Sequence, residues 1–275
     1  MITGYFDDEN KWTIWEKKEF EFFSPSFDYH LMTTLNKHPT ATTLWKVHEG
    51  CPRSLWYDYN GRFYCHIDNL IFMVRGTLIH KNALCNVPFK EFFILVDKLF
   101  GSLDGYDYNK GIIYEVKTVS SIPKVIPPAH AFQLLVYMWM MKHHNLPFER
   151  FKSFYATWWS TRTFDESYKV LPGLLGFQPE GGLTKMIESL LTKFDVIVNK
   201  ENVDELYGNT EKCIGCPYWN ICDTGKRYCV EHFKNTGKTP KLSPIWYESD
   251  LSSLGKDWIY RSNKLIETYA NGGGI

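Results

Sequence analysis

Phe100-Gly101-Ser102-Leu103-Asp104-Gly105, a polar turn from Tyr106 to Gly111, and Ile112-Ile113-Tyr114-Glu115-Val116-Lys117 form the stretch that decides the fold of this chain. Two β-rich runs joined by a turn rich in Asp, Asn and Gly predict a hairpin. In the second run side chains alternate, so Glu115 and Lys117 share one side and Val116 takes the other. Ten residues separate Asp104 from Glu115, and pairing the runs brings Asp104 towards that same side. Two carboxylates so placed repel unless a cation lies between them, and Mg²⁺ or Mn²⁺ favours such oxygen ligands. Acid-x-Lys is also common at a solvated hairpin edge. The weight of the motif therefore depends on what surrounds it.

Composition limits the choices. A chain of 275 residues, 44% hydrophobic and 23% charged, is long enough for a substantial core. The formal net charge is zero, so no global positive field advertises a nucleic-acid partner, although a nuclease needs positive potential only along its groove. No apolar run reaches the length of a membrane span, and Met1 to Asn10 is polar and acidic rather than signal-like. A cytoplasmic protein with no membrane association is expected. In that setting seven cysteines point to metal binding or isolated thiols rather than disulfides.

Along the chain, residues up to about Lys46 are aromatic and irregular. Helices are expected around Arg53 to Tyr59 and Arg75 to Leu84, and strands from about Glu91 to Val119. Pro123, Pro127 and Pro128 then stop the strand and open a helix. That helix runs from Ala129 to His144, with Phe132, Leu135, Val136, Trp139 and Met140 at helical spacing. A strand pair is expected over Phe151 to Ser160 and Ser167 to Leu171, then an amphipathic helix over Thr184 to Asn199. A polar tail follows from about Lys234.

The first long helix adds chemistry to the hairpin. Gln133 and Tyr137 stand four apart and share a face. An amide and a phenol suit a phosphate or a base edge, though they equally suit a satisfied core. His80 in Arg75-Gly76-Thr77-Leu78-Ile79-His80 is a candidate ligand for a Mn²⁺-type centre, against the plainer role of a packed histidine.

Cys213-Ile214-Gly215-Cys216-Pro217 and then Cys222 gather three thiols in one short segment, which lowers the entropy of assembling metal ligands. A four-thiolate site needs one more. Cys51, in Cys51-Pro52-Arg53, and Cys229 are both candidates. Cys229 would make a local zinc knot, and Cys51 would tie distant parts of the chain together. Cys65 and Cys85 read as buried free thiols.

In this order, Cys51-Pro-Arg, Gly76…His80, Gly101…Asp104, Glu115-x-Lys117, Gln133…Tyr137 and Cys213-x-x-Cys216-Pro…Cys222 resemble the RecB-like branch of the PD-(D/E)XK nucleases. More narrowly, they resemble the CRISPR-associated RecB-like exonucleases that carry an iron–sulfur cluster. The similarity runs from about Leu44 to Tyr228. It implies an α/β, restriction-endonuclease-like core with a central mixed sheet flanked by helices, and a cysteine-ligated subdomain. It further implies that His80, Asp104, Glu115 and the Val116 backbone carbonyl bind Mg²⁺ or Mn²⁺, that Lys117 is the catalytic lysine, and that Gln133 and Tyr137 contact DNA or support the site. Cys51, Cys213, Cys216 and Cys222 would hold a 4Fe-4S cluster. The resulting division is an N-terminal extension (1–46), a nuclease core (47–200), an iron–sulfur segment (201–233, with Cys51) and a C-terminal tail (234–275). The first forty-odd residues, the tail and the extra thiol of Cys229 depart from the family pattern.

The expected function is metal-dependent cleavage of DNA, with single strands favoured, during CRISPR spacer acquisition and beside CRISPR integrase proteins. Tyr106, Tyr108 and Tyr114 are candidate stacking surfaces for unpaired bases. Two other readings fit the same residues: a nuclease-fold DNA-binding subunit of an adaptation or repair complex with little catalysis of its own, and a zinc-stapled DNA-binding module.

Overall fold

The computed structural model describes residues 4–6, 12–14, 38–60, 64–65, 79, 83–84, 86–157, 159–176, 182–219, 221–237 and 245–246. His80, Cys85 and most of the helix expected over 75–84 lie outside the described residues. The chain divides into two compact units, one of Met1–Trp45 with Val74–Thr192, the other of Lys46–Met73 with Lys193–Ile275.

The first unit is built on a mixed sheet of seven strands. These are β1 (Gly4–Phe6), β2 (Trp12–Ile14), β4 (Phe89–Val96), β5 (Leu99–Asp107), β6 (Ile112–Thr118), β7 (Arg150–Ala156) and β8 (Thr161–Ser167), in the order β2-β1-β4-β5-β6-β7-β8. β1 runs parallel to β4, and β6 parallel to β7; the other neighbours are antiparallel. The expected central hairpin is β5–β6. Its turn is closed by Asp107, whose Oδ1 accepts the Lys110 backbone N–H at 3.2 Å, the local bond that makes Asp a turn residue.

Parallel β6 and β7 need a crossover, supplied by the helix Pro128–His143. Pro127 is extended at its N-cap and Pro128 opens its first turn, where a missing N–H costs nothing. Phe132, Val136 and Met140 are fully buried along this helix, and Ile94, Leu103, Ile113 and Phe151 supply buried apolar side chains from the strands. The approach to β5 is close: a Cβ on Gly101 would stand 3.0 Å from Met140 Sδ.

Two expectations need correcting. The second strand of the late pair is Thr161–Ser167, not Ser167–Leu171. Ser167 ends it by accepting the Lys169 N–H on its hydroxyl, a short 3₁₀ turn covers Tyr168–Val170, and Pro172 stands in the first turn of the helix Leu171–Leu174. The first strand stops at Ala156 because Thr157–Ser160 is a turn, with Thr157 N–H donating to Ser160 O at 2.8 Å. The N-terminal stretch read as irregular contributes β1 and β2, of which β1 joins the sheet by long-range pairing with β4 and β2 adds to β1 at the edge.

The second unit holds the helix Pro52–Asn60, the end of the helix Leu183–Val198, 3₁₀ turns at Val203–Glu205 and Thr210–Gly215, the helix Asp223–Thr236, and a two-stranded pairing of β3 (Tyr64–Cys65) with β9 (Ile245–Trp246). Leu55, Phe194 and Ile197 form one core. Arg53 donates to Leu206 O at 2.8 Å and Asp204 Oδ1 at 2.9 Å, and Trp56 Nε1 to Lys200 O at 2.8 Å. These bonds fix the start of the helix Pro52–Asn60, and with it Cys51. Among the described residues no helix is long and apolar enough to cross a membrane.

Candidate functional site

In the first unit, β5 and β6 pair from Asp107↔Ile112 to Gly105↔Tyr114. Just beyond, Asp104 Oδ2 accepts the Val116 backbone N–H at 2.7 Å. Glu115 is 3% exposed, and its Oε1 lies 2.5 Å from Lys117 Nζ. The expected trio is therefore assembled at one end of the hairpin. Burial by itself lowers the pKa of Lys117, but the Glu115 carboxylate, the hydrogen bond to it and the charge of Asp104 outweigh that and raise it.

Gln133 and Tyr137 are also brought in, as an internal pair. Gln133 Nε2 donates to Tyr137 Oη at 2.7 Å, and that hydroxyl donates to Ser102 O on β5 at 2.7 Å. Both residues are buried. Burial raises the Tyr137 pKa well above its usual range, with Glu115 and Asp104 adding to the rise and the Gln133 hydrogen bond opposing it. This geometry suits a structural support for the β5 end of the site.

Three residues at the site were not read from the sequence. In the β6–β7 register Glu115 faces Ser153 and Lys117 faces Tyr155. Tyr155 is fully buried, and its hydroxyl stands 2.8 Å from His130 Nδ1, in the first turn of the helix Pro128–His143. Burial, and then the charge of Lys117, lowers the His130 pKa to about 4. The imidazole is therefore neutral at physiological pH. Its Nδ1 shares a hydrogen bond with the Tyr155 hydroxyl, in a direction set by the ring tautomer. Ser153 Oγ is buried without a hydrogen-bond partner among the described residues.

The donor set fits a hard divalent ion: Asp104 and Glu115 offer carboxylate oxygens at adjacent strand positions, with backbone carbonyls beside them. Among the described residues no three His, Cys, Asp or Glu side chains converge at single-ion distances, and His80, the expected third side chain, lies outside them.

In the second unit, Cys51, Cys213, Cys216 and Cys222 line one pocket together with Arg53, Tyr57 and Trp219. Backbone N–H groups already address two of the sulfurs: Asn209 N–H donates to Cys51 Sγ at 3.3 Å and Tyr218 N–H to Cys216 Sγ at 3.4 Å. Cys222 is the N-cap of the helix Asp223–Thr236. Burial and neighbouring cysteines push the Cys213 thiol up to about 12; burial does the same to Cys216, against the Tyr218 hydrogen bond. A cationic centre would reverse that cost. The indole Nε1 of Trp219 is buried with no acceptor among the described residues, a spare donor in the wall of the pocket. Cys229 is fully buried and does not line it; its thiol donates to Cys213 O at 3.8 Å. The residues present thus fit a cysteine-held cofactor. A Cβ on Gly225 would meet Trp219 Cα at 2.7 Å, so the helix can approach this wall only with glycine there.

The chain is similar to the crystal structure of SSO0001, with 15% identity and a TM-score of 0.42, over 74% of this chain and 99% of that one. No protein-family model and no curated protein matches it.

Proposed function

We propose that this protein is a metal-dependent DNA nuclease of the PD-(D/E)XK type, acting on single-stranded ends, with a 4Fe-4S cluster in its second unit. The observation that carries the reading is the buried Glu115–Lys117 contact with Asp104 bound to the Val116 N–H one strand away. The motif order from Cys51 to Cys222 supports a place in CRISPR spacer acquisition, beside integrase proteins.

A divalent ion on Asp104 and Glu115 supplies an acidified water and positive charge for the phosphoryl oxygens. The rest is done by the chain. Asp104 and Glu115 orient towards the phosphate, their directions fixed by the Val116 N–H and the Lys117 ammonium. Lys117 keeps its proton beside two carboxylates and offers it to charge developing on the phosphate. Gln133 and Tyr137 hold the β5 backbone at Ser102, two residues before Asp104. His130 and Tyr155 exclude water from the Lys117 side.

Cys51, Cys213, Cys216 and Cys222 would hold the cluster, and ligation would contribute folding free energy. Four cysteines around one pocket match the ligand count of a 4Fe-4S centre, and a single zinc ion would need their thiolates about 3.8 Å apart.

The test is cleavage of end-labelled single-stranded and duplex DNA by anaerobically purified protein with Mg²⁺ or Mn²⁺, beside Asp104→Ala and Lys117→Ala. Metal-dependent cleavage lost in both variants is expected. A folded, cluster-loaded protein that cuts nothing would favour the DNA-binding subunit instead.

A further inference from the structure

The β6–β7–β8 register sets two rows of side chains across the sheet. Lys117 faces Tyr155, and Tyr155 faces Arg162; Glu115 faces Ser153, and Ser153 faces Phe164. Directly paired residues project from the same face, so Arg162 and Phe164 share the face of the acidic–lysine cluster. They stand two strand spacings away, about 10 Å. Tyr155 and Phe164 meet edge to face at 5.5 Å, which ties the outer row to the inner one.

The outer row has the chemistry of a nucleotide site. Arg162 is exposed, and among the described residues no carboxylate pairs with it. Its guanidinium lies 4.7 Å from the centroid of the Phe164 ring, a cation–π contact that holds the planar fork in place. Of the two acidic residues of the same strand, Glu166 shares the face of Arg162 four positions along, and Asp165 is on the opposite face, paired there with Arg150 at 2.8 Å and Lys152 at 3.1 Å. Its charge is therefore met away from Arg162. In the turn joining β7 to β8, Trp159 is 94% exposed. The turn is firm: Thr157 Oγ1 accepts the N–H groups of Trp159 at 3.2 Å and Ser160 at 2.9 Å. An exposed indole three residues before a braced guanidinium matches an unpaired nucleotide, with phosphate on the arginine and base on the ring.

We propose that Arg162, braced by Phe164, and Trp159 form a binding subsite for the nucleotide next to the scissile phosphate of a single strand. A strand whose reacting phosphate lies over Glu115 and Lys117 crosses β8 as it leaves the sheet. Arg162 takes the neighbouring phosphate and Trp159 stacks the base that follows. This rests on the nuclease reading and adds how the substrate strand is held.

The test is fluorescence anisotropy with a labelled single-stranded oligonucleotide in Ca²⁺, at several salt concentrations, for the full chain and for Arg162→Ala, Arg162→Lys and Trp159→Ala. The same proteins are assayed for cleavage in Mg²⁺, with thermal melts to match their folding. Arg162→Ala should weaken binding roughly tenfold and lower the salt slope by about one, while Arg162→Lys keeps the slope. Trp159→Ala should also weaken binding roughly tenfold, with the loss in KM rather than kcat. A parent protein that binds and cuts, with Arg162→Ala and Trp159→Ala within twofold of it, overturns the subsite alone. A folded parent that neither binds nor cuts overturns the nuclease reading, and the subsite with it.

Discussion

Tyr155 stands directly across from Lys117 in the β6–β7 register, and its hydroxyl is held 2.8 Å from His130 Nδ1. The lysine thus faces a neutral, hydrogen-bonded pair that no local motif announces. Tyr155→Phe should cost about 1 kcal/mol of stability, the ordinary value of one such bond. Cleavage should fall roughly tenfold, as when a group that orients a reacting side chain is removed. Denaturant melts and single-turnover cleavage check both.

His130 gives the site a pH signature. Its pKa falls from 6.5 to about 4 in the folded protein, so between these values the unfolded chain binds more protons and stability rises with pH. As pH falls through this window, that stability is lost. Thermal melts at pH 7.5, 5.5 and 4.5 should therefore show a steeper acid loss for the parent than for His130→Gln. Parallel curves would remove His130 from the account.

In the proposed nuclease, Lys117 and a divalent ion would compensate the same carboxylates. Lys117→Met takes positive charge from beside Glu115 and Asp104, and loss of one partner of a buried pair typically costs about 3 kcal/mol. Mn²⁺ should then raise the melting temperature of Lys117→Met more than that of the parent, because ligand binding to the folded state alone stabilises it. Cleavage by Lys117→Met and by Asp104→Ala should each fall by at least about a hundredfold. Equal Mn²⁺ shifts in parent and variant would separate Lys117 from the ion site.

The four pocket cysteines and Cys229 predict opposite results. With the proposed 4Fe-4S cluster in the pocket, the parent should be brown, and Cys216→Ala should be colourless, low in iron and sulfide, and melt at a lower temperature. Cys229→Ala, a change in the packed core behind Cys213 and Trp219 that removes no pocket-lining thiol, should keep its iron. If Cys229→Ala loses metal while Cys51→Ala retains it, the site is the local zinc knot.

Two further changes probe the pocket wall. Gly225→Ala drives a methyl group into the Trp219 backbone and should lower both cluster loading and stability by about 1–3 kcal/mol, the usual cost of overpacking. Trp219→Phe keeps the ring and removes the spare N–H donor. A donor near cluster sulfur raises the potential, so its removal should shift the reduction potential downward in film voltammetry while iron content stays the same.

The hairpin, its acidic–lysine trio and the Gln133–Tyr137 helix were legible because each depends on contacts between residues close in sequence. Alternation places Glu115 with Lys117, and four-residue spacing places Gln133 with Tyr137. Ser153, Tyr155 and His130 were not, because their place is set by a parallel register spanning 38 positions, from Lys117 to Tyr155. Periodicity tells which face a residue takes, never which residue stands opposite. β8 was misplaced for a related reason: it is exposed along most of its length, so no buried stripe marks it. The cysteine spacing, by contrast, announced Cys213, Cys216 and Cys222 together; that Cys51 rather than Cys229 lines the pocket with them depends on the fold.

That choice has a consequence in time. Cys51 leaves the ribosome 158 positions before Asn209, whose N–H meets its sulfur, an interval of roughly 8–30 s at ordinary synthesis rates. During that interval the thiol waits without the other three. The pocket is completed only after almost the whole described chain has been made, so the proposed cluster would be loaded late in maturation. Chains that stall early carry an open cysteine for the cell's oxidants to find.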